Sequence, residues 1–220
     1  GTDDAWAPFW NGDSRRAGFL AGEGIRSVDL SSATLMTIAD LPPGTPRGAT
    51  ASWGAGEILV ASGDTLLHVP ETGGTLKKLD VAGVPDGTRY PSPSFLPDGR
   101  RFLYHRNQGA PAQNGVYLGT LNAQTPHRRV IDGESQAQYV EPGYLLFVKG
   151  GTLLAQRVDP ATLEPQGEPT PFPESVSFFP SFNQAAFSAS QGGALAFRAR
   201  VTASEPRWFD RAGRLLAPVT

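Results

Sequence analysis

Tyr90-Pro91-Ser92-Pro93-Ser94-Phe95-Leu96-Pro97-Asp98-Gly99-Arg100-Arg101-Phe102-Leu103-Tyr104-His105 reads as a strand, a tight turn and a second strand. Pro97-Asp98-Gly99 supplies the turn. Proline presets its own φ, Asp bonds to nearby backbone, and Gly accepts a positive φ. Arg101–His105 is a short apolar run rich in Phe, Leu and Tyr, which favours a strand over a buried helix segment. A longer loop over 107–114 leads to two more strand-like runs, Gly115–Leu121 and His127–Ile131.

The same unit recurs on both sides. Equivalent turns are Asn11-Gly12-Asp13, Gly54-Ala55-Gly56, Glu141-Pro142-Gly143 and Gln191-Gly192-Gly193. Turn centres at 12, 55, 98, 142 and 192 are spaced by 43, 43, 44 and 50 residues. A period of about 40–50 residues with four short strands per unit is the pattern of propeller blades. The expected fold is all-β: a β-propeller of five four-stranded blades, either a five-bladed ring or an open arc of a larger one. The units fall at about 5–40, 48–81, 89–133, 136–173 and 183–220 of a single domain spanning 1–220. In the fourth unit the last strand is obscured by Pro165, Pro169, Pro171 and Pro173. In the fifth, strands are expected at Ala185–Ser188, Ala194–Arg198, Arg207–Asp210 and Leu215–Val219. Closure of five units would rest on the first and fifth packing face to face. Without that contact, apolar sheet faces are exposed and a homo-oligomer is expected.

Composition agrees with a turn-rich β protein: 26 Gly and 20 Pro stand among 220 residues. The net charge is −2, and basic residues are scattered in pairs such as Arg100-Arg101 and Arg128-Arg129. A nucleic-acid partner would call for a concentrated basic face, so none is expected. The absence of cysteine excludes disulfides and thiolate metal sites. The longest strongly apolar run, Tyr144–Val148, is far too short to span a membrane as a helix. Gly1-Thr2-Asp3-Asp4 carries no leader pattern, and the chain reads as a piece of a longer region.

Several stretches carry a resemblance. Trp10 and Trp53 stand before tight turns, and Phe95–Tyr104 and Trp208-Phe209-Asp210-Arg211-Ala212-Gly213 add to the pattern. With Val69–Gly74 and Pro142–Leu153, the chain resembles TolB-type, WD-repeat-like propeller repeats. More closely, it is similar to propeller regions appended to bacterial serine/threonine protein kinases. The usual Ser-Pro-Asp-Gly turn is altered in four of the five repeats. The kinase signatures themselves, a Gly-rich nucleotide loop, His-Arg-Asp and Asp-Phe-Gly, are absent from the sequence. The resemblance implies an extracytoplasmic or periplasmic setting beyond a membrane span, and a recognition role.

Candidate chemistry is sparse. His68, His105 and His127 are the candidates for a metal-assisted hydrolase, but they fall on a third, a second and a fourth strand and lack local zinc-site spacing. First strands, which line a propeller channel, offer Trp6, Phe9, Thr50, Ser52, Tyr90, Ser92, Gln136, Gln138 and Asn183, with no carboxylate pair for glycoside hydrolysis. No Gly-x-Ser-x-Gly elbow occurs. No catalytic residue and no cofactor is assigned. Arg89, Tyr90, Gln136, Gln138, Tyr139, Asn183 and Gln184 are expected at one mouth of the channel, where a protein, peptide or small-molecule ligand would bind. Loops over 40–48, 106–114 and 165–184 are further candidates for a partner surface.

Overall fold

The computed structural model describes residues 2, 4–79, 89–107, 113–121, 127–190, 193–200, 207–209 and 214–218. Four antiparallel four-stranded sheets follow one another in sequence order. The first comprises β1 (Ala5–Trp10), β2 (Arg16–Ala21), β3 (Gly24–Asp29) and β4 (Leu35–Asp40). The second comprises β5 (Thr50–Trp53), β6 (Glu57–Ser62), β7 (Thr65–Pro70) and β8 (Lys77–Lys78). The third comprises β9 (Ser94–Phe95), β10 (Arg101–Arg106), β11 (Gly115–Thr120) and β12 (Arg128–Ile131). The fourth comprises β13 (Gln138–Val140), β14 (Tyr144–Lys149), β15 (Thr152–Arg157) and β16 (Thr170–Pro171). Each sheet pairs in simple meander order, and the sheets are arranged in a ring as propeller blades.

The continuous apolar second strands follow from blade stacking. Side chains alternate between the faces of a strand, and here each face meets a different neighbour. On β6, Ile58 and Val60 pack into the cluster with blade 1, while Leu59 and Ala61 pack with Tyr90, Phe102 and Tyr104 of blade 3. On β10, Phe102 and Tyr104 face blade 2 and Leu103 faces blade 4. On β14, Leu145 and Phe147 face blade 3, and Leu146 and Val148 face the fifth unit. Every one of these side chains is buried.

Close backbone approach fixes some glycines. The turns of blades 2 and 3 touch: a Cβ on Gly99 (φ +65°) would lie 2.2 Å from the Ala55 nitrogen, and one on Gly54 would lie 2.7 Å from the Gly99 carbonyl oxygen. Blades 3 and 4 are latched by Arg101. Its guanidinium bonds to the Asp98 carboxylate and to the Ala161 and Pro160 carbonyls of blade 4. Blades 1 and 2 are latched by Trp53, whose Nε1 donates to Glu71 at 2.7 Å while Arg16 of β2 stacks 4.7 Å over its ring and pairs with Glu71.

The fifth unit differs from the expected single blade. Its described strands form three two-stranded sheets: β17 (Phe178–Phe179) with β18 (Gln184–Ala185), β19 (Phe187–Ala189) with β20 (Leu195–Phe197), and β21 (Arg207–Phe209) with β22 (Leu215–Pro218). The loop expected over 165–184 contains β16, β17 and a 3-10 turn at Pro180–Phe182. Thr170–Pro171 is the obscured fourth strand. It is an outer edge strand, where proline is tolerated because its missing N–H need not join a ladder. The expected turn residues Gln191 and Gly192, the loop residues 108–112, and Asp210–Gly213 and Val219 lie outside the described residues.

One flank of the first blade is exposed at Trp10 and Leu35. A register position one or two residues before each first turn is aromatic in four units: Trp10, Trp53, Phe95 and Tyr139, paired with Ala17, Ile58, Phe102 and Leu145. Trp53 and Tyr139 are 5% and 9% exposed beneath the preceding blade, whereas Trp10 is 59% exposed. The ladder Trp10–Ala17–Val28–Leu35 crosses all of blade 1 on the side away from blade 2, and Leu35 at its far end is also exposed.

Candidate ligand cavity

First strands converge around a cavity of about 1170 Å³. Its wall is tiered by strand register. At the level of the first turns stand Trp10, Trp53, Phe95, Tyr139 and Ala189. One residue earlier come Phe9, Ser52, Ser94, Gln138 and Ser188, and beyond them Thr50, Ser92, Gln136 and Ala186. Among the described lining residues the only charged side chain is Arg198, and none is a carboxylate.

Much of the polar wall also holds the blades together. Thr50 and Ser52 accept the Ser92 and Phe95 backbone N–H groups of blade 3 through their hydroxyls, at 3.0 Å each. Gln136 and Gln138, at the same register two blades on, serve the fifth unit. Gln136 donates to the Ala185 carbonyl at 2.7 Å and accepts the Ala185 N–H at 2.8 Å, and Gln138 accepts the Ala189 N–H at 2.6 Å. A first strand of a propeller is an inner edge, and these side chains satisfy its free N–H groups.

The expected mouth residues therefore divide. Gln136, Gln138, Tyr139 and Gln184 line the cavity. Asn183 does not. It adopts a left-handed conformation (φ 49°), its amide donates to the Glu134 carbonyl and accepts from Asn107, and its carbonyl accepts the Gln136 N–H. Tyr90 is buried between blades 2 and 3, its ring 5.4 Å from Tyr104. Arg89 bridges to Asn107 away from the cavity wall. Prolines at 91 and 93 interrupt the ladder, so β9 is only two residues long and the alternation cannot be carried back to Tyr90. Ser94, Ser188 and Arg198 line the cavity beyond the residues expected at its mouth, and the repeat register is the sequence signal for the two serines.

The three histidines occupy separate neighbourhoods. His68, on β7, lies 3.3 Å from Glu57. His105, on β10, is buried, and its Nε2–H donates to the Gly133 carbonyl at 3.1 Å, leaving Nδ1 without a partner. His127 directly precedes β12 and shares a 3.0 Å hydrogen bond with the Tyr104 hydroxyl against the Phe102 ring. Burial pushes both His105 and His127 down to about 4, so both are neutral near pH 7. None of the three lines the cavity, and among the described residues no group of three His, Asp or Glu side chains is placed to hold a metal ion. Also among the described residues, no helix is long and apolar enough to cross a membrane.

No family model matches this chain, and no curated protein matches it. Solved structures do. A TolB-type protein from Agrobacterium tumefaciens superposes with a TM-score of 0.61 at 15% identity, over 97% of this chain and 79% of that one. The Cps50 (Swd1) β-propeller domain of Myceliophteria thermophila superposes with a TM-score of 0.60 at 14% identity, over 98% and 73%. Regucalcin, a calcium-binding protein from Agrobacterium tumefaciens, gives 0.56 at 17%, over 97% and 73%. At these identities the likeness is one of fold: the chain is built as a β-propeller of the kind seen in TolB-like and WD40 structures.

Proposed function

We propose that this chain is a noncatalytic recognition propeller that takes a small molecule or a short peptide segment into its central cavity. The observation that carries this reading is the chemistry of the wall. Hydroxyl and amide groups stand beside the exposed rings of Trp10 and Phe179, with one arginine and no carboxylate among the described lining residues. Such a wall offers stacking surfaces and hydrogen-bond donors without a general acid–base pair. Among the described residues the Gln138 NH2 and the Ser94 and Ser188 hydroxyls have no hydrogen-bond partner, so they are free to meet a ligand. The motifs at Val69–Gly74 and Pro142–Leu153 favour a setting as the sensor region of a bacterial serine/threonine kinase.

Tryptophan fluorescence tests the reading, because Trp10 and Trp53 both line the cavity. Titration with a panel of sugars and tripeptides is expected to give a saturable change for at least one class. Ser188→Phe, which fills the wall, is expected to abolish it. A response that survives Ser188→Phe, or no response to any class, overturns the proposal.

A further inference from the structure

A second cavity, of about 330 Å³, lies beside the first. Arg198 and Phe179 line both, so the two spaces share a wall at these side chains. Arg200, Ser177 and Gly151 complete much of the smaller one.

The backbone presents the two arginines together. Ala199 bridges Val176, the Ser177 N–H donates to the Arg198 carbonyl at 2.9 Å, and the Arg200 N–H donates to the Ser175 carbonyl at 2.8 Å. Extended residues two apart point to the same side, so Arg198 and Arg200 share a face on a segment fixed at both ends. The Arg200 guanidinium reaches the blade 4 turn, where a Cβ on Gly151 would lie 3.7 Å from it. Among the described residues neither guanidinium has a carboxylate partner, and no acidic residue is among the described lining of either cavity. Among the described residues four other arginines meet carboxylates, Arg16 with Glu71, Arg47 with Asp4, Arg101 with Asp98 and Arg129 with Asp132; Arg198 and Arg200 differ from the remaining arginines in lining one cavity together. Both residues are exposed, and two like charges lining one cavity favour an anion there; planar guanidinium forks suit carboxylate and phosphate oxygens. Phe179, 43% exposed at the junction, offers an apolar surface to the rest of such a ligand.

We propose that Arg198 and Arg200 form an anion subsite that holds an acidic end group, carboxylate or phosphate, of a ligand whose uncharged body extends past Phe179 into the central cavity. The extension into the central cavity rests on the reading given above; the anion subsite does not.

The test is an NMR titration of the full chain that follows the arginine Nε–H resonances. The probes are glucuronate, its uncharged counterpart glucose, and inorganic phosphate. Saturable shifts at Arg198 and Arg200 are expected with glucuronate or phosphate, with glucose at least tenfold weaker. Comparing the two anions tells which acidic group is preferred. Arg198→Gln and Arg200→Gln are each expected to weaken binding at least fivefold while leaving the thermal midpoint unchanged. Ser188→Phe separates the two proposals. It is expected to spare phosphate binding, so phosphate shifts that persist there support the subsite even when the central cavity is blocked. Absence of saturable shifts with both anions, equal binding of glucose, or binding unchanged in both glutamine variants overturns the subsite.

Discussion

Replacing Gln136 by Leu removes the amide that clamps the fourth blade to the fifth unit. Leucine keeps similar bulk, so the loss is chiefly polar. Both backbone groups of Ala185 lose their partner at once, the N–H at 2.8 Å and the carbonyl at 2.7 Å. Gln136 and Ala185 are only 5% and 3% exposed, so water does not readily replace the amide. Leaving a buried backbone group unsatisfied costs about 1–3 kcal/mol, so two cost about 2–6 kcal/mol. For a chain of this size about 1 kcal/mol moves the thermal midpoint by about 2–4 °C, which sets an expected drop of about 4–24 °C. Thermal and urea unfolding followed by circular dichroism read the midpoint. Hydrogen exchange at Ala185 and Ala189 reads whether the loss is local to the fifth unit. Ser52→Ala is the internal standard, because it removes a single partly buried bond to Phe95 and is expected to cost about 1 kcal/mol. If Gln136→Leu costs no more than Ser52→Ala, the amide is not a structural clamp and the reasoning fails.

Three further outcomes are expected. Trp10→Ala and Trp53→Ala alter the same register position, yet the first is expected to change stability by less than about 0.5 kcal/mol and the second to cost about 3–5 kcal/mol; equal losses in urea melts would contradict the difference in burial. Gly99→Ala forces a side chain onto Ala55 at positive φ and is expected to cost more than about 1 kcal/mol, read by the same melts. His105 titrates near 4 when folded and near 6.5 when unfolded, so below 6.5 the unfolded chain takes up a proton that the folded one refuses. Stability contributed by neutral His105 is therefore complete above about pH 7 and is lost as pH falls from 6.5 to 4, by up to about 3 kcal/mol. His105→Gln is expected to flatten that slope, and an unchanged slope would refute the assignment.

The blades were legible because their second strands advertise themselves. Ile58–Ala61 and Leu145–Val148 are apolar without alternation, and a strand covered on both faces is what such a run requires. The fifth unit was less legible. Ser177 and Ala186 bond across β17 and β18, and Arg198 bonds to Ala186, which draws the first strand into a local hairpin that no apolar pattern signals. The polar residues of the first strands could be placed on the cavity wall from the repeat. Their second use could not, because it depends on where the next blade presents its N–H groups. Gln136 looks like a ligand contact in sequence and is a clamp in three dimensions. Arg198 and Arg200 are an ordinary pair of arginines in sequence, and only the fold brings them to one cavity.

The bare flank at Trp10 has a consequence for symmetry. Blade 1 has unlike flanks: the ladder carrying Trp10 faces backward, and Arg16 and Phe9, which cover Trp53 of blade 2, face forward. A contact of this kind is heterologous. A second molecule that covered Trp10 as blade 1 covers Trp53 would leave its own Trp10 bare. Repetition of that contact gives a closed ring or an open filament, and a two-fold pair of chains would have to meet through some other surface.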